Sequence, residues 1–110
     1  MMRKPLPPRE IILDTCYRGL RWLCDNPDID DFLATFWYPQ CRSMSEVQRR
    51  NLLFLVYETA WKRAERTAHQ AEEAQDPLEA LEFFNESRRY FEAFKNLGDY
   101  LALTNPGRSH

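Results

Sequence analysis

The one internal histidine, His69, stands in Glu65-x₃-His69-x₃-Glu73 with Glu72 beside it. Residues four apart share a helix face, so an imidazole and carboxylates can meet there as divalent-metal donors. A di-iron helical bundle, however, repeats Glu-x-x-His on two helices, and this chain does not have that spacing. The group reads as a solvated charged face. Asp25-Asn26-Pro27-Asp28-Ile29-Asp30-Asp31 is the other dense carboxylate run, and calcium is the ligand to consider. An EF-hand loop needs glycine at its sixth position and glutamate at its twelfth, and no frame opening at Asp25, Asp28 or Asp30 supplies both. These acids suit a helix start, where they cap free N–H groups and oppose the dipole.

Nucleophilic catalysis needs serine or cysteine beside a base and an orienting acid, and a single internal histidine removes the usual constellation. Gly19, Gly98 and Gly107 are scattered singly, so no glycine loop can cradle a phosphate. Cys16, Cys24 and Cys41 are odd in number and fit neither a disulfide framework nor a zinc site. Cys16 and Cys24 lie about 12 Å apart along one helix, too far to bridge, so all three are expected as reduced, buried thiols. Neither a cofactor nor a metal ligand set is predicted. A small helical enzyme working with Arg, Glu and Tyr side chains, or a metal-binding protein, stays as one alternative, because a cleft of that kind leaves no local signature.

Arg49-Arg50 with Lys62, Arg63 and Arg66 form a basic stretch, but Glu46, Glu58, Glu65, Glu72 and Glu73 interleave with it and the net charge is −2. The local field is largely cancelled, which leaves a nucleic-acid-associated regulator as a second alternative. The stronger signal is aromatic. Three tryptophans, five tyrosines and seven phenylalanines exceed what one small core takes, and Phe36-Trp37-Tyr38 cannot all face inward from a short helix. Trp, Tyr and Arg dominate binding hot spots. Trp22, Trp37, Tyr38, Arg49 and Arg50 are therefore the predicted contacts of a non-enzymatic interaction module, an adaptor, assembly factor or inhibitor of a larger protein.

Positioning these residues falls to helices. Ile12, Cys16, Gly19, Leu20 and Leu23 recur at three-to-four spacing from Arg9 to about Cys24. Asp28 caps a shorter helix carrying Phe32, Leu33, Phe36 and Trp37, which Pro39 is expected to stop. Ser43 with Glu46, or Ser45 with Gln48, opens a third helix, and no glycine or proline follows until Pro77. Asp76 then caps the fourth, with Pro77 at its first position and Glu79 at its third, running to about Leu103. Heptad seams run through Leu53, Tyr57, Ala60, Ala64, Thr67, Ala71 and Ala74, and through Ala80, Phe84, Ser87, Phe91, Phe94, Gly98 and Leu101. Folding the last two helices about residue 75 pairs Thr67 with Phe84, Ala64 with Ser87, Ala60 with Phe91 and Tyr57 with Phe94, rings filling the room beside small residues.

The predicted fold is all-α, a four-helix bundle-like domain with two short N-terminal helices packed on a long antiparallel C-terminal hairpin. A chain of 110 residues makes one core, with an extended arm at 1–8, the helical domain at 9–104 and a mobile tail at 105–110. Leu52 to Tyr57 is apolar all round, so either the first two helices or another chain covers it, and a homo-oligomer is a second expected partner. That run of six is far below the ~20 residues a membrane span needs. Arg3 and Lys4 lead into Pro5-Leu6-Pro7-Pro8 rather than an apolar leader, so a cytoplasmic protein without a membrane partner is expected.

Overall fold

Local capping chemistry sets where each helix begins in the computed structural model, which describes residues 9–104. The expected arm at 1–8 and tail at 105–110 lie outside the described residues. Helix α1 spans Arg9–Asp25. Helix α2, residues 29–40, opens on Asp28, whose carboxylate accepts from the Asp30 and Asp31 amides at 3.0 and 3.2 Å. Helix α3, Glu46–Glu73, starts from a closed capping box: Ser45 Oγ accepts from the Gln48 amide, and Gln48 Oε1 from that of Ser45. Helix α4, Pro77–Leu103, starts from Asp76, which accepts from the Leu78 amide at 3.2 Å. The described residues contain four helices and no strand.

Pro39 does not stop α2. The helix makes one α turn (Ile29–Asp31), widens to a π-helical stretch (Phe32–Trp37) and closes with a further α turn (Tyr38–Gln40). The Tyr38 N–H reaches the Leu33 carbonyl, five residues back. Pro39 stands in the last turn of this helix, where its missing donor forgoes one backbone hydrogen bond, and the wider turn before it eases the ring's clash with the preceding turn. The wide turn also sets the core. Five residues along an α-helix leave two side chains about 140° apart, whereas bonds to the fifth residue back stack i over i+5. Phe32 and Trp37 accordingly both point inward, 0% and 1% exposed, with ring centroids 5.6 Å apart.

α3 and α4 pack closely side by side. Leu53, Ala60, Ala64, Thr67 and Ala71 are buried, as the α3 seam predicts. The predicted register holds at two levels: Ser87 Oγ donates to the Ala64 carbonyl at 2.8 Å, and the Tyr57 and Phe94 rings stack at 4.5 Å. The α4 seam is corrected. Its buried line is Ala93, Leu97 and Leu101, while Phe84 and Phe91 turn outward and half-exposed. The rings thus flank the alanines and do not fill the space beside them, and the helices close together directly. Gly98 permits one such approach, since a Cβ there would stand 2.9 Å from Cε1 of Tyr57.

α1 lies against both hairpin helices and contributes Cys16, Leu20 and Leu23 to a core shared with Phe32, Leu33, Trp37, Leu52, Leu53, Val56, Ala93, Leu97 and Leu101. Cys16 Sγ is 3.8 Å from Thr59 Oγ1, and Asn96 Nδ2 donates to the Pro27 carbonyl at 3.0 Å. Most of the apolar run from Leu52 to Tyr57 is thereby covered within the chain, with Phe54 left outside. No helix among the described residues is long and apolar enough to cross a membrane.

Candidate functional site

Arg49 and Arg50 are adjacent on α3 and so diverge by about 100° around its axis. Arg49 turns toward the end of α2, its guanidinium 5.8 Å from the centroid of the Tyr38 ring, in cation–π range. Tyr38 is 47% exposed. The Tyr38 phenol also neighbours that of Tyr100 on α4; burial first, then this phenol, holds the Tyr100 pKa above its ordinary value, with Arg50 opposing. Three helices therefore bring together an exposed aromatic ring, a half-buried guanidinium and a half-buried second phenol.

The other predicted contacts part company with it. Trp37 is a correction: its ring sits in the core against Phe32 and beside Gly19, and offers no surface to a partner. The wide turn that draws Trp37 inward is what leaves the next residue, Tyr38, outside. Trp22 is half-buried, its ring 5.8 Å from Phe32 and 6.5 Å from Phe36. Arg50 ties α3 to α4, donating to the Leu101 carbonyl at 2.8 Å and Thr104 Oγ1 at 3.0 Å while lying over the Phe54 ring.

A second surface went unpredicted. Positions 54, 57 and 61 fall on the side of α3 opposite Thr59, the residue that meets α1, and 84, 91 and 94 continue that face onto α4. Phe54, Trp61, Phe84 and Phe91 are each 42–48% exposed. Trp61 and Phe91 lie 5.1 and 6.0 Å from Phe94, which stacks on Tyr57, so these rings make one continuous stripe. The signal was readable, since 54 and 61, and 84 and 91, are each seven apart.

Between α1 and the hairpin lies a cleft of about 580 Å³. Its centre is Arg63, 4.8 Å from the Tyr17 ring and 6.0 Å from that of Tyr90, whose hydroxyl donates to Glu86 Oε1 at 3.2 Å. Arg21 and Arg89 line it together with Asp25, Glu82 and Glu86, so its charges balance. With Arg63 in this cleft, Arg49 at Tyr38 and Arg50 on α4, the basic stretch is dispersed over three neighbourhoods. Glu58 and Lys62, Arg88 and Glu92, and Glu92 and Lys95 stand three or four apart on their helices, yet among the described residues none of these pairs closes within 4.0 Å; Lys95 lies over the Phe91 ring. His69 Nδ1 stands 3.9 Å from Glu72 Oε2, both largely exposed, and no three potential metal ligands converge among the described residues.

The three cysteines are free thiols, Cys16 and Cys41 buried and Cys24 partly so. Burial pushes all three up, Cys24 and Cys41 to about 11 from an ordinary 9.0; Asp25 adds to the effect on Cys24, and Arg49 opposes it on Cys41. At pH 8 the folded protein should therefore react with a thiol reagent more than about tenfold more slowly than the urea-unfolded chain. Equal rates would show the thiols to be open. The unfolded chain loses the Cys24 and Cys41 protons near 9.0 and the folded protein near 11, so the stability they contribute is full below pH 9.0 and falls as pH rises toward 11.

Among known proteins, no family model matches the chain, no curated protein matches its sequence, and no solved structure matches its fold.

Proposed function

We propose that this protein is a non-enzymatic protein-binding module, an adaptor, assembly factor or inhibitor that engages a larger protein through the Tyr38–Arg49 patch. The observation that carries this reading is the exposed Tyr38 ring held under the Arg49 guanidinium at the junction of α2, α3 and α4. Tyrosine and arginine are the residues in which interface energy concentrates, because each combines a broad apolar surface with directed donors. The ring and guanidinium already steady one another, so less side-chain freedom is lost when a partner arrives. The balanced charges of the Arg63 cleft favour neither an anionic substrate nor a cationic one.

The test is capture of the tagged protein from lysate of its source cells, with and without nuclease, beside a Tyr38→Ala/Arg49→Ala variant. A stoichiometric protein partner that survives nuclease is expected, and the variant should bind it roughly 30-fold more weakly with helix content unchanged. Undiminished capture by the variant, or a partner lost on nuclease treatment, counts against this surface.

A further inference from the structure

We infer that the aromatic stripe on the outer face of the hairpin is a self-association surface, covered by a second copy of this chain lying antiparallel to the first. The inference is independent of the Tyr38–Arg49 patch, which sits on the α1 and α2 side.

Three observations converge on that occupant. The first is extent. Helices of 28 and 27 residues are each about 40 Å long, and side by side they present a face of roughly 800 Å², which is about what one partner contributes to a stable complex. The second is composition. Trp61 and Phe91 are half-exposed around the half-buried Tyr57 and Phe94, an aromatic centre of the kind that dominates interfaces, and the half-exposed Phe84 lies seven residues before Phe91 on α4.

The third is charge. Around the hairpin turn, residues 65–85 hold six carboxylates, from Glu65 to Glu82, against one base, Arg66. The rest of the hairpin, residues 46–63 and 86–103, holds seven bases against five carboxylates and so is weakly positive. The hairpin is therefore electrically polar along its length. A parallel pair sets acidic tip on acidic tip, whereas an antiparallel pair sets each tip over the other copy's basic end. The register follows from α3. Arg50 and Glu72 are each eleven residues from Trp61, and helical geometry puts all three on one face. A two-fold axis passing at the level of Trp61 then brings Arg50 of each copy over Glu72 of the other. A self-complementary face of this kind closes at two subunits.

The full chain should sediment at twice its 13.2 kDa mass at micromolar concentration and shift toward monomer in ~0.5 M salt, as tip-to-end attraction is screened. Trp61→Asp with Phe91→Asp should raise the dimer dissociation constant about 100-fold or more. Because those rings also pack within the chain, Phe84→Asp is the parallel variant, at a more peripheral site, with circular dichroism confirming helix content for both. Orientation is read from Glu72→Cys under mild oxidation: two antiparallel copies hold these positions about 33 Å apart, so no disulfide-linked dimer forms, whereas parallel copies bring them together. A wild-type chain that stays monomeric to ~100 μM, or folded aspartate variants that dimerise undiminished, would overturn the inference; rapid cross-linking of the Glu72→Cys variant through its new thiol would overturn its antiparallel form.

Discussion

Replacing Trp37 with alanine should remove about 3–5 kcal/mol of folding free energy, the range for deleting a large buried aromatic. A domain of this size holds about 5–15 kcal/mol in total, so the variant should be marginal or partly unfolded at room temperature. The large effect follows from the position of the ring. Trp37 is 1% exposed, packs at a tilt against Phe32 and comes within 3.4 Å of where a Cβ on Gly19 of α1 would stand, so its loss leaves a cavity between α1 and α2. Tyr38→Ala, one residue on, should change stability by about 0.5 kcal/mol or less, as surface substitutions do. Urea unfolding followed by far-ultraviolet circular dichroism measures both. A loss under ~1 kcal/mol for Trp37→Ala would place the ring outside the core. A variant altering Trp37 and Tyr38 together therefore reports on folding before it reports on binding.

Ala60→Leu should lower stability by about 2–3 kcal/mol, the upper part of the range for overpacking. Two effects oppose that outcome: leucine forms helix nearly as well as alanine, and a buried leucine gains about 2 kcal/mol where there is space for it. The seam decides the sign. Ala60 of α3 and Ala93 of α4 are both fully buried, and just along the seam Ser87 reaches the Ala64 carbonyl at 2.8 Å. Three added carbons have to part the helices, which lengthens that bond and unstacks Tyr57 from Phe94. Thermal and urea melts give the loss; an unchanged or raised midpoint would mean that the helices stand further apart than this structure has them.

Legibility in the sequence followed the range of the interaction. The starts of α3 and α4 were readable because Ser45 with Gln48 and Asp76 with Pro77 act within a single turn. The pairing of Ala64 with Ser87 and of Tyr57 with Phe94 was readable because a tight turn near residue 75 leaves little freedom of register. The facing of α4 was not, since this helix has two apolar sectors, one against α3 and α1 and one outward. A heptad drawn through Phe84 and Phe91 follows the outward one. The candidate site was half legible. Residue type alone singles out Tyr38 and Arg49, but their meeting depends on where α2 docks, and no local pattern carries that. Placing Trp37 at the surface assumes an ordinary helical pitch, and that pitch does not hold between Phe32 and Trp37.

The wide turn of α2 is, in effect, a helix carrying one surplus residue. Ala34 and Thr35 are the exposed positions within it. Shortening the segment by either would return Phe32 and Trp37 to a spacing of four, the spacing at which a regular helix superposes two side chains. The inward ring pair therefore tolerates two lengths of chain, five apart in one hydrogen-bonding pattern and four apart in the other. Alignments of relatives to this protein should accordingly admit a one-residue gap between Phe32 and Trp37, and keep those two aromatics, rather than the residues between them, as the anchors.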